Sequence, residues 1–245
     1  MAREIRLGSA LFNADHARLG EELKAVEEAG IDFLHLDVFD GYAVPDQGFP
    51  ARTIAALRPL TRLPFEVHLT ANEPLRFVPQ LADAGVDLIF LPAETTPFLY
   101  EATFELRQRK VRPGVCLSLG TTLGVLEPVL PMVDAVLLLG RVTGEGPRGR
   151  SFNDLVLRRV ERVRQMIDSA LPVASDGQRG APIDLQAAGG LELESAVQVC
   201  HLGATSLPLG GALHREKAAD GSFAPAGYAA YVQKLRSLLR GTETA

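Results

Sequence analysis

Apolar residues fall in short runs, separated by longer stretches in which they recur every third or fourth position. The runs lie at 5–11 (IRLGSAL), 31–38 (IDFLHLDV), 64–70 (PFEVHLT), 86–91 (VDLIFL), 112–118 (RPGVCLS), 133–139 (VDAVLLL), 182–188 (PIDLQAA) and 204–209 (ATSLPL). Each reads as a strand, and strands this apolar belong to a parallel sheet covered on both faces. The helical pattern occupies 15–29, 73–84, 97–110, 122–131, 152–170, 192–202 and 225–240. In the first of these Asp15 can cap the start, Arg18 and Glu22 are one turn apart, and Gly30 ends the pattern. Strand-then-helix units repeated at roughly thirty-residue spacing across 245 residues predict an α/β chain folded as a (β/α)8 TIM barrel, one domain spanning 1–245. An open doubly wound sheet would more often carry a Gly-x-Gly-x-x-Gly turn after its first strand, and none is present. The segment 172–181 (PVASDGQRGA) reads as a surface loop rather than a domain boundary, and 242–245 as a frayed end.

Composition narrows the partners. With 47% hydrophobic residues the chain can bury a large core. A net charge of -5 argues against nucleic acid or an anionic membrane as the main partner. Two cysteines, Cys116 and Cys200, make no disulfide framework and fit a reducing compartment. The N-terminal MAREIRLGSALF has no signal-peptide pattern, and no run of about 18 apolar residues occurs, so the expected location is the cytoplasm.

The candidate chemistry sits at strand ends, where a barrel gathers its site. In the second run His35 and Asp37 alternate onto one face while Leu34, Leu36 and Val38 point to the other. His68 occupies a similar place in the third run, FEVHLT. Two imidazoles and a carboxylate suit a divalent transition metal such as Zn, Mn, Fe or Co. Gly189 and Gly190 follow the seventh strand, and Gly210 and Gly211 follow the eighth, each ahead of an expected helix. Glycines let a backbone approach closely, and N–H groups at helix starts favour an anion, so these four are candidate phosphate-binding residues. Arg141, Arg148 and Arg150 could add positive charge over the mouth. The only lysines, Lys24, Lys110, Lys217 and Lys234, fall on helices or loops, which argues against a Schiff-base aldolase. Asp-x-Lys-x-x-Asp, the barrel decarboxylase pattern, is missing too. Cys116 and Cys200 read as buried apolar residues without a partner base, and His16, His201 and His214 receive no role.

The stretch HLDVFDGYAVPDQGF, residues 35–49, together with FEVHLT, LFNADHARLGEE and GATSLPLGGAL, resembles the ribulose-phosphate 3-epimerases over nearly the whole chain. The resemblance implies a ribulose-phosphate-binding barrel and a small phosphorylated sugar, a ketose, as substrate. It also implies a metal held by two His and two Asp. The two carboxylates, one on each face of the sugar, would move a proton through an enediolate. His35, Asp37 and His68 then match metal ligands, and Asp37 also matches one catalytic acid/base. The second Asp belongs at the end of the seventh strand. Ala188 stands there if the ungapped spacing to Gly203 is kept; Asp176, in SDGQRG, would need about twelve extra residues before the eighth strand. Other positions depart from the family as well: Ala10 stands for its serine after the first strand, Leu91 and Ala93 for its His-x-Glu, Phe39 for its Met and Tyr42 for the following His. Two readings follow: a metal-dependent epimerase or isomerase, or a divergent, even non-catalytic relative that still binds a phosphorylated ligand. Losing a ligand should leave the metal weak or absent. The resemblance also implies a homo-oligomer.

Overall fold

A computed structural model describes residues 4–142, 152–170, 182–214 and 225–241. Eight parallel strands close into a barrel in chain order: β1 (Arg6–Ala10), β2 (Phe33–Phe39), β3 (Phe65–Thr70), β4 (Leu88–Pro92), β5 (Arg112–Leu117), β6 (Ala135–Leu139), β7 (Asp184–Ala188) and β8 (Ser206–Leu209). Each expected strand is found, and the barrel is closed by β8 pairing in parallel with β1. Around it run α1 (Leu19–Glu28), α2 (Ala51–Leu57), α3 (Val78–Asp83), α4 (Leu99–Gln108), α5 (Leu155–Ala170), α6 (Leu193–His201) and α7 (Pro225–Gly241). No helix among the described residues is long and apolar enough to cross a membrane.

One helical expectation needs correction, and one helix was not expected. The segment 122–131 forms 3-10 turns, Leu123–Leu126 and Leu130–Met132, and not an α-helix. Pro128 and Pro131 remove backbone donors there, so an i to i−4 ladder cannot continue. Conversely α2, after Pro50, has only 7 residues, too short for a clear 3.6-residue period.

Alternation along the strands divides the interior from the helix-facing layer. Leu34, Leu36 and Val38 on β2 are buried under the helices. Inward side chains fall into layers. At the N-terminal floor Arg6 bonds Glu66 (2.8 Å) and Asp184 (3.2 Å), Gln186 donates to Glu66 (2.5 Å), and Ser206 donates to Asp184 (2.7 Å). Glu66 is fully buried, so this pairing is what makes a charged floor tolerable. Above it Leu88, Phe90, Cys116, Ala135, Leu137, Leu139 and Ala188 pack as a separate apolar cluster. The floor and this half of the wall are thus closed, and His35, Asp37 and His68 stand on β2 and β3 toward the C-terminal end.

Candidate metal and substrate site

Register brings the three predicted ligands together. Asp37 on β2 pairs directly with His68 on β3, and His35 lies one inward position below Asp37. One ligand atom from each of His35, Asp37 and His68 lies within 4.8 Å of the others. His68 Nδ1 donates to Asp37 Oδ1 at 3.0 Å, and His35 Nε2 lies 3.6 Å from the same oxygen. Burial opposes a charge on Asp37, yet the two imidazoles override it and hold the carboxyl well below its ordinary range. For His68 burial again works against the charge, but Cys116 and Asp37 push it up to about 9. Cys116 itself is held up by burial and so is the neutral thiol at neutral pH; we attribute the raised imidazole chiefly to Asp37. Without a cation the pair is therefore imidazolium and carboxylate, and a divalent metal would displace that proton. His35 Nδ1 is buried with no partner among the described residues. This donor set of two imidazoles and a carboxylate fits a transition-metal ion. Cys116, expected to be an inert apolar residue without a base, packs in the apolar cluster but interacts with His68. Its inward parity on β5, two positions beyond Gly114, was the signal for it.

The loop after β2 explains the rest of the HLDVFDGYAVPDQGF stretch. Asp40 accepts from the backbone N–H groups of Tyr42 and Ala43, both at 2.8 Å, and of Asn72 at 2.7 Å, tying the loop to the end of β3. The chain then doubles back, with Phe49 N–H donating to Asp37 O at 2.8 Å. Gly48 fits this return because a Cβ there would stand 2.3 Å from Asp37 O. The returning loop delivers Phe49 to an aromatic wall: Phe12 packs edge-on against Phe39 and Phe49, and Phe39 packs edge-on against His68 with ring centres 5.8 Å apart. His16 stacks on Phe49.

Ala188 ends β7, opposite Leu139 on β6, and is 7% exposed. The end of β7 thus presents an apolar side chain. Asp176, the competing position, lies outside the described residues, as do Arg148, Arg150, Lys217 and the segments 172–181 and 242–245.

The predicted glycine turns follow β7 and β8. Gly189 (φ 93°) and Gly190 (φ 73°) are both left-handed, a conformation that other residues adopt only under strain. Arg141 lays its side-chain stem across Gly189, where a Cβ would come within 2.7 Å of Arg141 Cγ. The N–H groups of Gly190 and Leu191 have no protein acceptor among the described residues, and neither do those of Gly211 and Ala212. In the first turn of α6 the Glu192 and Ser195 N–H groups are already taken by a capping box. An anion at this end would therefore rest on the glycine turns. Residues 211–214 form a turn and not the expected helix, with Leu213 and His214 N–H both bonded to Gly210 O. His214, given no role from the sequence, is buried and bonded to Ser9 and Tyr228.

A closed eight-stranded parallel barrel, with a metal-capable His–Asp–His cluster at the C-terminal ends of its strands, defines the class: a (β/α)8 barrel built as enzymes of that fold are built. Comparison with known proteins is more specific. The profile of the Ribulose-phosphate 3 epimerase family matches residues 6–214. The ribulose-phosphate 3-epimerase of Synechocystis is 35% identical over 215 residues, 87% of this chain and 89% of that protein. Its counterpart in Bacillus subtilis is 35% identical over 210 residues, 86% and 92%. Ribulose-phosphate 3-epimerase 1 of Cupriavidus necator is 32% identical across 96% of this chain and 92% of its own. The chain belongs to the ribulose-phosphate 3-epimerase family. Among solved structures, the tryptophan synthase A-subunit of Pyrococcus furiosus superposes with a TM-score of 0.62 at 16% identity, covering 97% of this chain and 98% of that one. The phosphoribosyl anthranilate isomerase of Thermus thermophilus gives 0.59 at 16%, covering 96% and 100%. These two share the fold.

Proposed function

We propose that this protein is a metal-assisted enzyme that moves a proton on a phosphorylated ketose through an enediolate, working from one face of the sugar. The observation that carries this reading is the asymmetry of the mouth, with Asp37 on one side and Ala188 where a second carboxylate would stand. His35, Asp37 and His68 would hold a divalent ion, which when bound supplies electrophilic polarisation of the sugar carbonyl and its neighbouring hydroxyl. Asp37 would carry the proton. Its Oδ1 is engaged by His68, which leaves Oδ2 without a protein partner among the described residues and free to face the substrate. Before metal binds, His68 orients that carboxylate. The wall of Phe12, Phe39 and Phe49 would exclude water from the same side and strengthen the interactions within it. At the other end the free N–H groups of the Gly189–Gly190 and Gly210–Gly211 turns would hold the phosphate, with Arg141 beside them. Ala188 offers no acid, so the proton returns from Asp37 or from water.

A second reading rests on the same Ala188: a relative that keeps the phosphorylated ligand but has lost or changed the chemistry. Incubation with ribulose 5-phosphate and other ketose phosphates in D2O, with Zn, Mn, Fe or Co, separates the two. The first reading expects deuterium to enter next to the carbonyl with little inversion at C3. Rapid C3 epimerisation with deuterium incorporation would show a second acid that Ala188 does not provide. Ligand binding without exchange would establish the second reading. The metal expected is less than one tight equivalent.

A further inference from the structure

One buried set of polar side chains takes no part in that chemistry. Ser9 on β1, His214 after β8, Tyr228 on α7 and Glu22 on α1 are all buried and linked end to end. Ser9 Oγ lies 2.9 Å from His214 Nε2, His214 Nδ1 lies 3.1 Å from Tyr228 OH, and Tyr228 OH donates to Glu22 Oε2 at 2.5 Å. The other Glu22 oxygen accepts from Asp15 N–H at 2.9 Å. A carboxylate can only accept, so Tyr228 must donate to it; the Tyr228 oxygen then accepts from His214 Nδ1–H, and Nε2 is left to accept from the Ser9 hydroxyl. With neutral His214, one tautomer satisfies every group.

Ser9 has no exposed surface and points outward, in register with Leu34 and Leu209, toward the helices. It is therefore no nucleophile for a substrate in the mouth. What the chain of bonds does is mechanical. His214 closes the tight turn that begins at Gly210, through its own N–H bond to Gly210 O at 3.1 Å. That turn is pressed against the segment after β1, since a Cβ on Gly210 would stand 2.5 Å from Asn13 Oδ1. The Gly211 and Ala212 N–H groups lie inside the turn and have no protein acceptor among the described residues.

We propose that His214 is a positioning residue: anchored by Ser9, Tyr228 and Glu22, it holds the Gly210–His214 turn so that its free N–H groups are aimed in advance at the substrate's phosphate. The inference rests on the phosphate placement given above. Donors fixed before binding gain more from an anion than donors that must be ordered by it.

The test is calorimetric titration of inorganic phosphate into the full chain. His214→Phe keeps a ring of similar size and removes both side-chain bonds; it should weaken phosphate by about tenfold. Ser9→Ala and Tyr228→Phe should weaken it about three- to fivefold. Adding Ser9→Ala to His214→Phe should cost nothing further, because both act through one bond. His214→Gln, which can still donate and accept, should recover part of the loss. Divalent-metal affinity, read on the same samples, should not change. Should His214→Phe fail to fold, the two hydroxyl deletions carry the test. Phosphate affinity within twofold of the parent in every folded variant, even with a lowered melting temperature, would overturn the proposal and leave a purely structural role. A parent protein that takes up no phosphate would overturn the placement of the phosphate, and this inference with it.

Discussion

Replacing Ala188 by Asp tests the site from the side that lacks a carboxylate. Ala188 is 7% exposed, pairs with Leu139, and packs with Leu137 and Cys116. A carboxylate placed there without a cation has no partner in that cluster. Its burial should cost about 2 to 4 kcal/mol, at the lower end of an unpaired buried charge because the mouth is at the barrel rim. For a chain of this length that is a fall in melting temperature of roughly 5 to 15 °C. With metal the sign reverses. Loss of a residue that merely orients a ligand weakens metal sites by about 10- to 100-fold, so gain of a direct ligand should tighten this one by at least about 100-fold. At saturating metal that returns about 2.7 kcal/mol. Ala188→Asp should therefore melt lower than the parent without metal and recover with Zn or Co. In D2O it should begin to invert C3, because an acid now stands on the second face. Scanning calorimetry with and without metal, a chelator competition for affinity, and NMR of the sugar read the three effects. Normal metal-free stability together with unchanged metal affinity would refute the placement of Ala188 in the mouth.

Asp37→Asn removes the proposed proton carrier and a charged ligand together; deuterium exchange should fall at least about 1000-fold, and residual exchange within tenfold of the parent would assign the base elsewhere. Glu22 is held below the ordinary carboxylate range: burial opposes this, but nearby His214 and the bonds from Tyr228 and the Asp15 N–H prevail. The unfolded chain then binds the extra proton first, so the stability from Glu22 is present above its unfolded value of about 4.3 and is lost as pH falls through the lower folded value. Melting temperatures from pH 6 to 3 should show this slope, and Glu22→Gln should flatten it. At the barrel floor Arg6→Met leaves fully buried Glu66 with Gln186 and with Arg112 at 3.6 Å. Because the Arg6 side chain is 30% exposed, a discounted cost of about 2 to 3 kcal/mol is expected in urea unfolding, and a loss under 0.5 would mean the pair contributes little.

How much of this was legible follows from the distance in sequence over which each feature is written. The strands were readable to within two or three residues, as at 64–70 against Phe65–Thr70, because a strand covered on both faces must be apolar nearly throughout. Helix α2 was not, because two turns after Pro50 carry no clear period. The His–Asp–His cluster was readable because His35 and Asp37 share a strand and His68 sits on the next one; alternation alone places all three on one face. The Ser9–His214 bond spans 205 residues and the Tyr228–Glu22 bond 206. No local pattern announces such pairs; each side chain alone looks like an ordinary helix or loop residue, and only barrel closure makes them neighbours. The floor pair of Arg6 and Asp184, 178 residues apart, was hidden for the same reason.

The same contrast bears on what a member of this family can lose. The cluster on β2 and β3 is supported by its own neighbourhood: Asp40 ties the β2 loop to Asn72, and Phe49 bonds the backbone of Asp37. That support does not depend on β7, so an alanine at 188 leaves the His–Asp–His geometry standing. The turn after β7 is likewise set by the left-handed backbone of Gly189 and Gly190, and the turn after β8 by the Leu213 and His214 N–H bonds to Gly210 O, not by a carboxylate at 188. The β2–β3 cluster, the glycine turns and the end of β7 are therefore supported separately in this barrel. On the proposed reading, exchange of one residue at the end of β7 would change which face of a sugar is served, while the elements that would hold the metal and the phosphate stay in place.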